Sequence, residues 1–197
     1  MSLRQRTASE LLESRILEAA LDLLDNQGFA AMTVRAIASK AHVAPMGIYN
    51  HFKSKNGVIE TLLVQSFDEL AEVMRESRCE DLSCQIRIMS TNYRKFALDN
   101  PARYRLIFME SFGNFEPSLR IAEASAAALQ SFIGLIEPFA HAGQLPDRPL
   151  IDLATSFWSV VHGFISLEVV DKNFAIDREA VFVQLVEDYW RGITTAK

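Results

Sequence analysis

Apolar residues recur along this chain at three- and four-residue steps almost from end to end, the spacing of helices that bury one face. Leu12, Ile16, Ala19, Ala20, Leu23 and Leu24 mark a first helix from about Ser9 to Asn26, and Gly28 stands where its C-terminal cap belongs. Phe29 is expected to drop into the core beneath. Val34, Ile37, Ala38 and Ala41 mark a short second helix, Thr33 to Ala41, with the Thr33 hydroxyl as its N-cap. Pro45 suits the first position of a third helix. That helix must be short, because Asn50-His51-Phe52-Lys53 reads as a break and Ser54 as a new cap. Two short helices across a tight turn describe a helix-turn-helix.

The stripe then lengthens. Val58, Leu62, Leu63, Phe67, Leu70 and Met74 predict one long helix from Ser54 or Lys55 to about Ser77. Leu82, Ile86, Met89, Tyr93, Phe96 and Ala97 share a face of the next, Asp81–Leu98, which Asn100-Pro101 ends. Ala102–Phe112 is shorter and very apolar; Ser118–Ala140 is expected to be interrupted or ended near Pro138. His141 to Pro149 is the one clear loop. Leu150–Val170 follows, then Asp177–Gly192, capped by Asp177, with Phe182, Leu185, Val186, Tyr189 and Ile193 inward. No segment alternates like a strand and nothing repeats. The fold class is all-α, with about nine helices: a three-helix head over residues 1–53, and a helical bundle over 54–197 joined to it by the long helix without a flexible linker.

Composition fits that picture, with 49% hydrophobic residues, 8 Gly and 6 Pro in 197. The net charge of −5 argues against a globally basic chain, but its distribution changes the reading. No Asp or Glu lies between Asp25 and Glu60, whereas Arg35, Lys40, Lys53 and Lys55 do. An acid-free window over the helix-turn-helix is what a phosphate-facing surface needs. Arg4 and Arg6 can serve as a basic arm, although a frayed terminus is the better reading. Cys79 and Cys84 form neither a disulfide framework nor a zinc site and are expected as reduced thiols, a redox sensor being the minority reading. The N-terminus has no signal peptide pattern, and the longest apolar run, Phe157 to Leu167, is too short to span a bilayer. A soluble cytoplasmic protein, with no membrane contact, is the expectation.

At this point the residues resemble a family. Gly28, Thr33-Val34, Ile37-Ala38, Ala41, Val43, Ile48-Tyr49, His51-Phe52 and Ser54-Lys55 are similar in type and spacing to the N-terminal signature of TetR-type transcription regulators, over about residues 12 to 62. Two positions depart: His42 replaces the usual turn glycine, and Ala44 the usual Ser or Thr cap, a loss of roughly 1 kcal/mol. The resemblance implies a double-stranded DNA operator as partner. On a helix from Pro45 with Ile48 and Phe52 inward, Met46, Gly47, Tyr49 and Asn50 face away. Thr33, Arg35, His42, His51 and Lys55 lie at the rim. The positions of Tyr49, His51 and Lys55 are ones that usually hold phosphates in the family. Arg35 and Asn50 are suited to guanine and adenine edges. Pro45 and Met46 offer apolar contact. Gly47 is explained either by close approach to DNA or by tight packing.

Trp158-Ser159-Val160-Val161-His162-Gly163 and the run Asn100–Phe108 also resemble the C-terminal domain of one TetR subgroup. That likeness implies a ligand-binding and dimerising domain. The candidate ligand contacts are Phe67, Met74, Tyr93, Phe96, Tyr104, Phe108, Phe112, Phe132, Trp158 and His162, though most of these aromatics must be ordinary core. For His162 a hydrogen-bonded core position is favoured over ligand contact by about two to one. The expected effector is a small apolar or aromatic molecule, and the expected assembly a homodimer through Leu150–Val170 and Asp177–Gly192. No catalytic elbow, phosphate loop, metal cluster or cofactor motif is present, so no enzyme is expected. The reading is a ligand-responsive repressor released from a palindromic operator. The alternatives are a regulator that activates and a helical protein-binding adaptor.

Overall fold

The computed structural model describes residues 8–110, 115–171 and 176–195. Among these there are nine α-helices and no strand: α1 (Ala8–Gln27), α2 (Val34–Lys40), α3 (Pro45–Phe52), α4 (Lys55–Glu76), α5 (Leu82–Asp99), α6 (Pro101–Phe108), α7 (Leu119–His141), α8 (Leu150–Val170) and α9 (Arg178–Thr195). A 3₁₀ turn, Phe29–Ala31, joins α1 to α2. Residues Arg4, Arg6 and Phe112 lie outside the described residues.

By packing, the chain divides into two compact units. One takes the residues up to Ser66 together with Pro101–Ala122; the other takes Phe67–Asn100 together with the residues from Glu123 on. The long helix α4 therefore begins in the first unit and ends in the second. Helix α6 joins the first unit because it packs on α1 and its Arg105 pairs with Asp25.

The core of the first unit is built from the expected stripes. Ile16, Leu24, Ile37, Ile48, Val58 and Leu62 are fully or almost fully buried, each contributing about 1.5–3 kcal/mol by leaving water. Phe29 departs from expectation: it is only half-buried, and Met32 fills the core instead. The 3₁₀ turn places Met32 at its end, facing inward, and leaves the Phe29 ring beneath the Lys55 ammonium, 4.2 Å from its centroid.

In the second unit α5, α8 and α9 pack pairwise around Met89, Ala97, Phe157, Val161, Ile165 and Phe182. Asp81 and Asp177 cap α5 and α9 through the Cys84 and Ala180 amides, at 2.9 and 3.1 Å. Helix α7 runs on through Pro138 to His141. Proline there forfeits a single backbone bond, and the stop comes from Gly143 at φ +68°. The Gly143 and Gln144 amides bond back to the Ala140 and Phe139 carbonyls, both at 2.9 Å, the paired bonds of a glycine-terminated helix. The cysteines are not free thiols: Cys79 and Cys84 are joined by a disulfide across the turn between α4 and α5. Spacing alone hid this, because a pair five residues apart meets only if the intervening turn folds back, here with Cα atoms 6.0 Å apart.

Helices α7 and α8, at 23 and 21 residues and mean hydropathy 1.3 and 1.4, are long and apolar enough to cross a membrane by length and composition. The apolar run in α8 had looked too short; the helix that contains it is not. Core helices of soluble proteins share these properties, and α8 packs against α5 and α9.

Candidate nucleic-acid interface

Thr33 sits in extended conformation and its Oγ1 accepts the Ala36 amide at 3.1 Å, so α2 starts as its sequence requires. The turn into α3 is made by His42 at φ 53°, a left-handed position where histidine is tolerated. Ala44 leads into Pro45 with no side-chain cap. A contact invisible in local sequence steadies this turn: the Arg15 guanidinium of α1 donates to the Ala41 carbonyl at 2.5 Å, satisfying one of the orphan acceptors at the end of α2.

Helix α3 buries Ile48 and Phe52 and leaves Pro45, Met46, Tyr49 and Asn50 exposed, Met46 at 64% and Tyr49 at 48%. A large apolar side chain that open to water is a poor core residue and a suitable surface for base methyls. Gly47 is half-exposed, and a Cβ there would meet only Val43 at 3.9 Å, ordinary contact. Packing within the described residues therefore does not require this glycine.

The cations separate into two kinds. Lys40 pairs with Asp22 and Lys55 lies over Phe29, while His51 turns its Nδ1 to Glu13 at 3.0 Å. The acids missing from the local window thus return from α1. The side chains of Arg35, Tyr49, Asn50 and Lys53 are exposed and engage no partner among the described residues. Lys53 was not among the candidate contacts, yet it belongs to the same acid-free stretch. It ends α3 at φ 65°. Gly57 was also overlooked: a Cβ there would fall 1.9 Å from the Phe52 carbonyl oxygen, so only glycine lets the first turn of α4 meet the end of α3.

The candidate ligand contacts among the described residues are divided between the two units. Tyr104 and Phe108 belong to the first unit, where their rings meet edge-on at 5.2 Å. Phe67, Met74, Tyr93, Phe96, Phe132, Trp158 and His162 belong to the second. There Phe132 stacks on Phe157 at 5.8 Å. The Trp158 indole donates to the Tyr93 hydroxyl at 3.0 Å, which in turn lies 3.0 Å from His162 Nδ1. Burial holds the His162 pKa below its usual value, which favours the neutral ring, and the ring tautomer sets the direction of the Tyr93–His162 bond. Trp158 and His162, one turn apart on α8, meet a single hydroxyl on α5.

Two grooves of about 540 and 630 Å³ open elsewhere in this unit, one between α5 and α9, the other between the α4–α5 turn and the end of α7. None of the nine candidate contacts among the described residues lines either. Sequence reasoning also missed the Arg94–Glu168 pair between α5 and α8, a two-pronged contact at 2.8 and 2.5 Å whose carboxylate is 4% exposed. Nothing in spacing joins residues 74 positions apart. No group of three or more potential metal ligands occurs among the described residues.

Residues 16–62 match the family described as bacterial regulatory proteins, tetR family, and residues 86–189 match the tetracyclin repressor-like C-terminal domain. The chain is 26% identical over 181 residues to the uncharacterized HTH-type transcriptional regulator Rv0681 of Mycobacterium tuberculosis, covering 90% of this chain and 79% of that one. It is 23% identical to YvkB of Bacillus subtilis, an uncharacterized HTH-type regulator, over 91% of this chain and 96% of that one. Among solved structures, the putative regulatory protein SCO4313 superposes with a TM-score of 0.76 at 22% identity, covering 91% and 95% of the two chains. The fatty acid degradation regulator FadR from Bacillus halodurans superposes at 0.77 and 18%, covering 91% and 98%.

Proposed function

Because this chain belongs to the TetR family of transcriptional regulators, whose members bind DNA operators and dimerise, we propose that it is a homodimeric repressor of a palindromic operator, released by a small apolar effector. The observation that carries the reading is the surface of α2 and α3: Arg35, Tyr49, Asn50 and Lys53 stand exposed and unpartnered around an α3 whose glycine no packing demands. Tyr49 and Lys55 take phosphates, and Arg35 and Asn50 read base edges. Pro45 and Met46 touch thymine methyls, with Thr33, Gly47, His42 and His51 at the margin.

Dimerisation through α8 and α9 is supported by the outer face of α8. Ile151, Thr155, Ser159, Gly163 and Leu167 form an exposed row at four-residue steps, small in the middle and aliphatic at the ends, a shape that admits a second helix closely. Two-fold symmetry then spaces the two α3 helices for half-sites one or more DNA turns apart.

The effector enters among Phe67, Met74, Tyr93, Phe96, Phe132, Trp158 and His162 by displacing side chains that are now buried or half-buried. Occupancy shifts the equilibrium of α4, the helix both units share, only as far as the effector prefers one arrangement over the other. Reciprocity requires the operator to weaken effector binding by the same factor. The Trp158-x-x-x-His162-Gly163 subgroup assignment is supported by the single Tyr93 hydroxyl that both side chains reach.

A gel shift with DNA flanking the protein's own gene tests the proposal. Retarded DNA that sequence-scrambled competitor fails to displace is the expected result, together with a dimer in sedimentation; a stable monomer at micromolar concentration overturns the assembly. Raised rather than lowered transcription from that promoter, in cells carrying the gene, would make the protein an activator.

A further inference from the structure

Regulators of this family work on DNA in the cytosol, where thiols are kept reduced and a disulfide is seldom a static brace. The Cys79–Cys84 bond lies in that setting. We propose that these two cysteines are a reversible redox site, closed by a hydroperoxide and reopened by a low-molecular-weight thiol.

Three observations carry this. First, both cysteines are half-buried and each lines an open groove: Cys84 the one between α5 and α9, Cys79 the one beside the end of α7. A small oxidant or thiol therefore reaches the sulfurs from either side. Second, the turn does not depend on the disulfide for its shape. Gln85, 2% exposed, donates to the Ser77 carbonyl at 2.6 Å and accepts the Cys79 amide at 2.8 Å. Asp81 caps α5 at Cys84, and Asn92 donates to the Ser77 hydroxyl at 2.8 Å. With the bond open, this framework still holds the two thiols within reach of each other, so closure is intramolecular and fast. A brace would sit where nothing else holds the chain; this one spans a turn already held.

Third, the two cysteines differ. Cys84 is in the first turn of α5, with the exposed, unpartnered Arg87 three residues on along the same groove, and a helix start and a nearby cation both favour thiolate. Asp81 and Glu187 also face that groove and moderate the effect. Cys79 has Glu80 beside it and is outside any helix. Cys84 is thus the attacking sulfur. Its thiolate takes the terminal peroxide oxygen, the O–O bond breaks, and the other oxygen takes a proton from solvent and leaves as water from hydrogen peroxide or as an alcohol from an organic hydroperoxide, giving a sulfenic acid. The Cys79 thiol then attacks that sulfur, the S–S bond forms, the S–O bond breaks, and the departing hydroxide takes the Cys79 proton to leave as water. Two thiols are oxidised by two electrons and one hydroperoxide is reduced. Two glutathione molecules reverse the change through a mixed disulfide.

The test uses the full-length protein, reduced and freed of reductant, and hydrogen peroxide as the probe. Wild type is expected to lose both titratable thiols and the mass of two hydrogens, and to regain them in millimolar glutathione. C79S should stop at a sulfenic acid on Cys84 that dimedone traps, whereas C84S should react at least tenfold more slowly. Peptide hydrogen exchange over residues 77–85 should differ between the two states while α8 does not, which separates the site from general unfolding. Thiols that survive a large excess of peroxide, or a bond that millimolar glutathione leaves closed, would overturn the proposal. Equal rates in C79S and C84S would overturn the assignment of Cys84 as the attacking sulfur.

Discussion

The junction between α3 and α4 offers the sharpest test of how this head is assembled. At Gly57 a Cβ would stand 1.9 Å from the Phe52 carbonyl oxygen and 2.9 Å from its carbon. Ordinary contact begins at 3.4 Å, so Gly57→Ala needs about 1.5 Å of relief. The oxygen cannot swing aside freely, because it also accepts the Ser54 amide at 2.7 Å. Nor can Lys53 easily adjust, since it already holds φ 65°. Overpacking costs about 1–3 kcal/mol, and a fixed backbone atom puts this case at the upper end. Alanine returns about 1 kcal/mol in helix propensity.

The net loss is about 2 kcal/mol, equivalent to a fall of roughly 4–8 °C in Tm for a chain of this size. Circular dichroism melting reads it, at one protein concentration so that dimerisation does not confound the comparison. Gly47→Ala is the control. Its Cβ would meet only Val43 at 3.9 Å, so it should hold or raise the Tm, by up to about 1 kcal/mol of stability, while weakening operator binding. If Gly57→Ala melts at or above the wild-type temperature, the clash is not the reason for that glycine. If Gly47→Ala leaves operator affinity intact, close approach to DNA is not the reason for the other.

Glu168→Ala strands the Arg94 guanidinium in a largely buried site and should cost about 3–5 kcal/mol in urea unfolding, whereas replacing both partners with Met and Leu recovers most of it; an equally unstable double variant would contradict this. His162 is held neutral by burial, so the unfolded chain takes up a proton that the folded one refuses. Stability is complete above about pH 6.5 and falls as pH drops from there towards the depressed folded value. His162→Gln should flatten that part of the Tm–pH curve. Lys55→Ala should weaken all DNA binding and reduce the salt slope by about one per half-site, while Asn50→Ala should cost about 1–3 kcal/mol at one base pair. A Lys55 variant with changed sequence preference and an unchanged slope would refute those roles.

Helix existence was legible throughout, because each helix carries its own stripe: Ile16 to Leu24, Val58 to Met74 and Ile86 to Ala97 are buried as their spacing requires. The caps at Thr33, Asp81 and Asp177 were legible for the same local reason. What spacing cannot carry is a contact between distant positions. Arg15 on Ala41, Arg94 on Glu168 and Tyr93 on His162 join residues 26, 74 and 69 apart. The packing of α6 with α1 has the same origin, since Arg105 and Asp25 are 80 positions apart. Gly57 escaped notice because a glycine in a helix looks like a weak residue until the neighbouring backbone is seen. The ten candidate ligand contacts, nine aromatic rings and Met74, were chosen for apolar or aromatic character, which a packed core and a ligand pocket share.

Helix α8 shows how one composition serves two faces. Leu153, Ala154, Phe157, Val161 and Ile165 are buried within the unit. Ile151, with 44% of its surface open, and Leu167, with 58%, bracket Thr155, Ser159 and Gly163 on the opposite side. A soluble helix with one partner keeps its outer face charged, and α8 has no charged residue between Asp152 and Glu168. Its outer row therefore has the form of a core awaiting its other half. On the proposed dimer, burying the open half of Ile151 and Leu167 adds roughly 1–1.5 kcal/mol per side chain in each subunit, an appreciable share of the roughly 5–15 kcal/mol that holds a typical domain folded. Stability of this unit and self-association are then a single quantity, and dilution should lower the melting temperature while Ser159→Lys, placed at the centre of the row, should lower it at every concentration and remove the dependence on dilution. A melting temperature independent of concentration in the wild-type protein would place the dimer contact on another face.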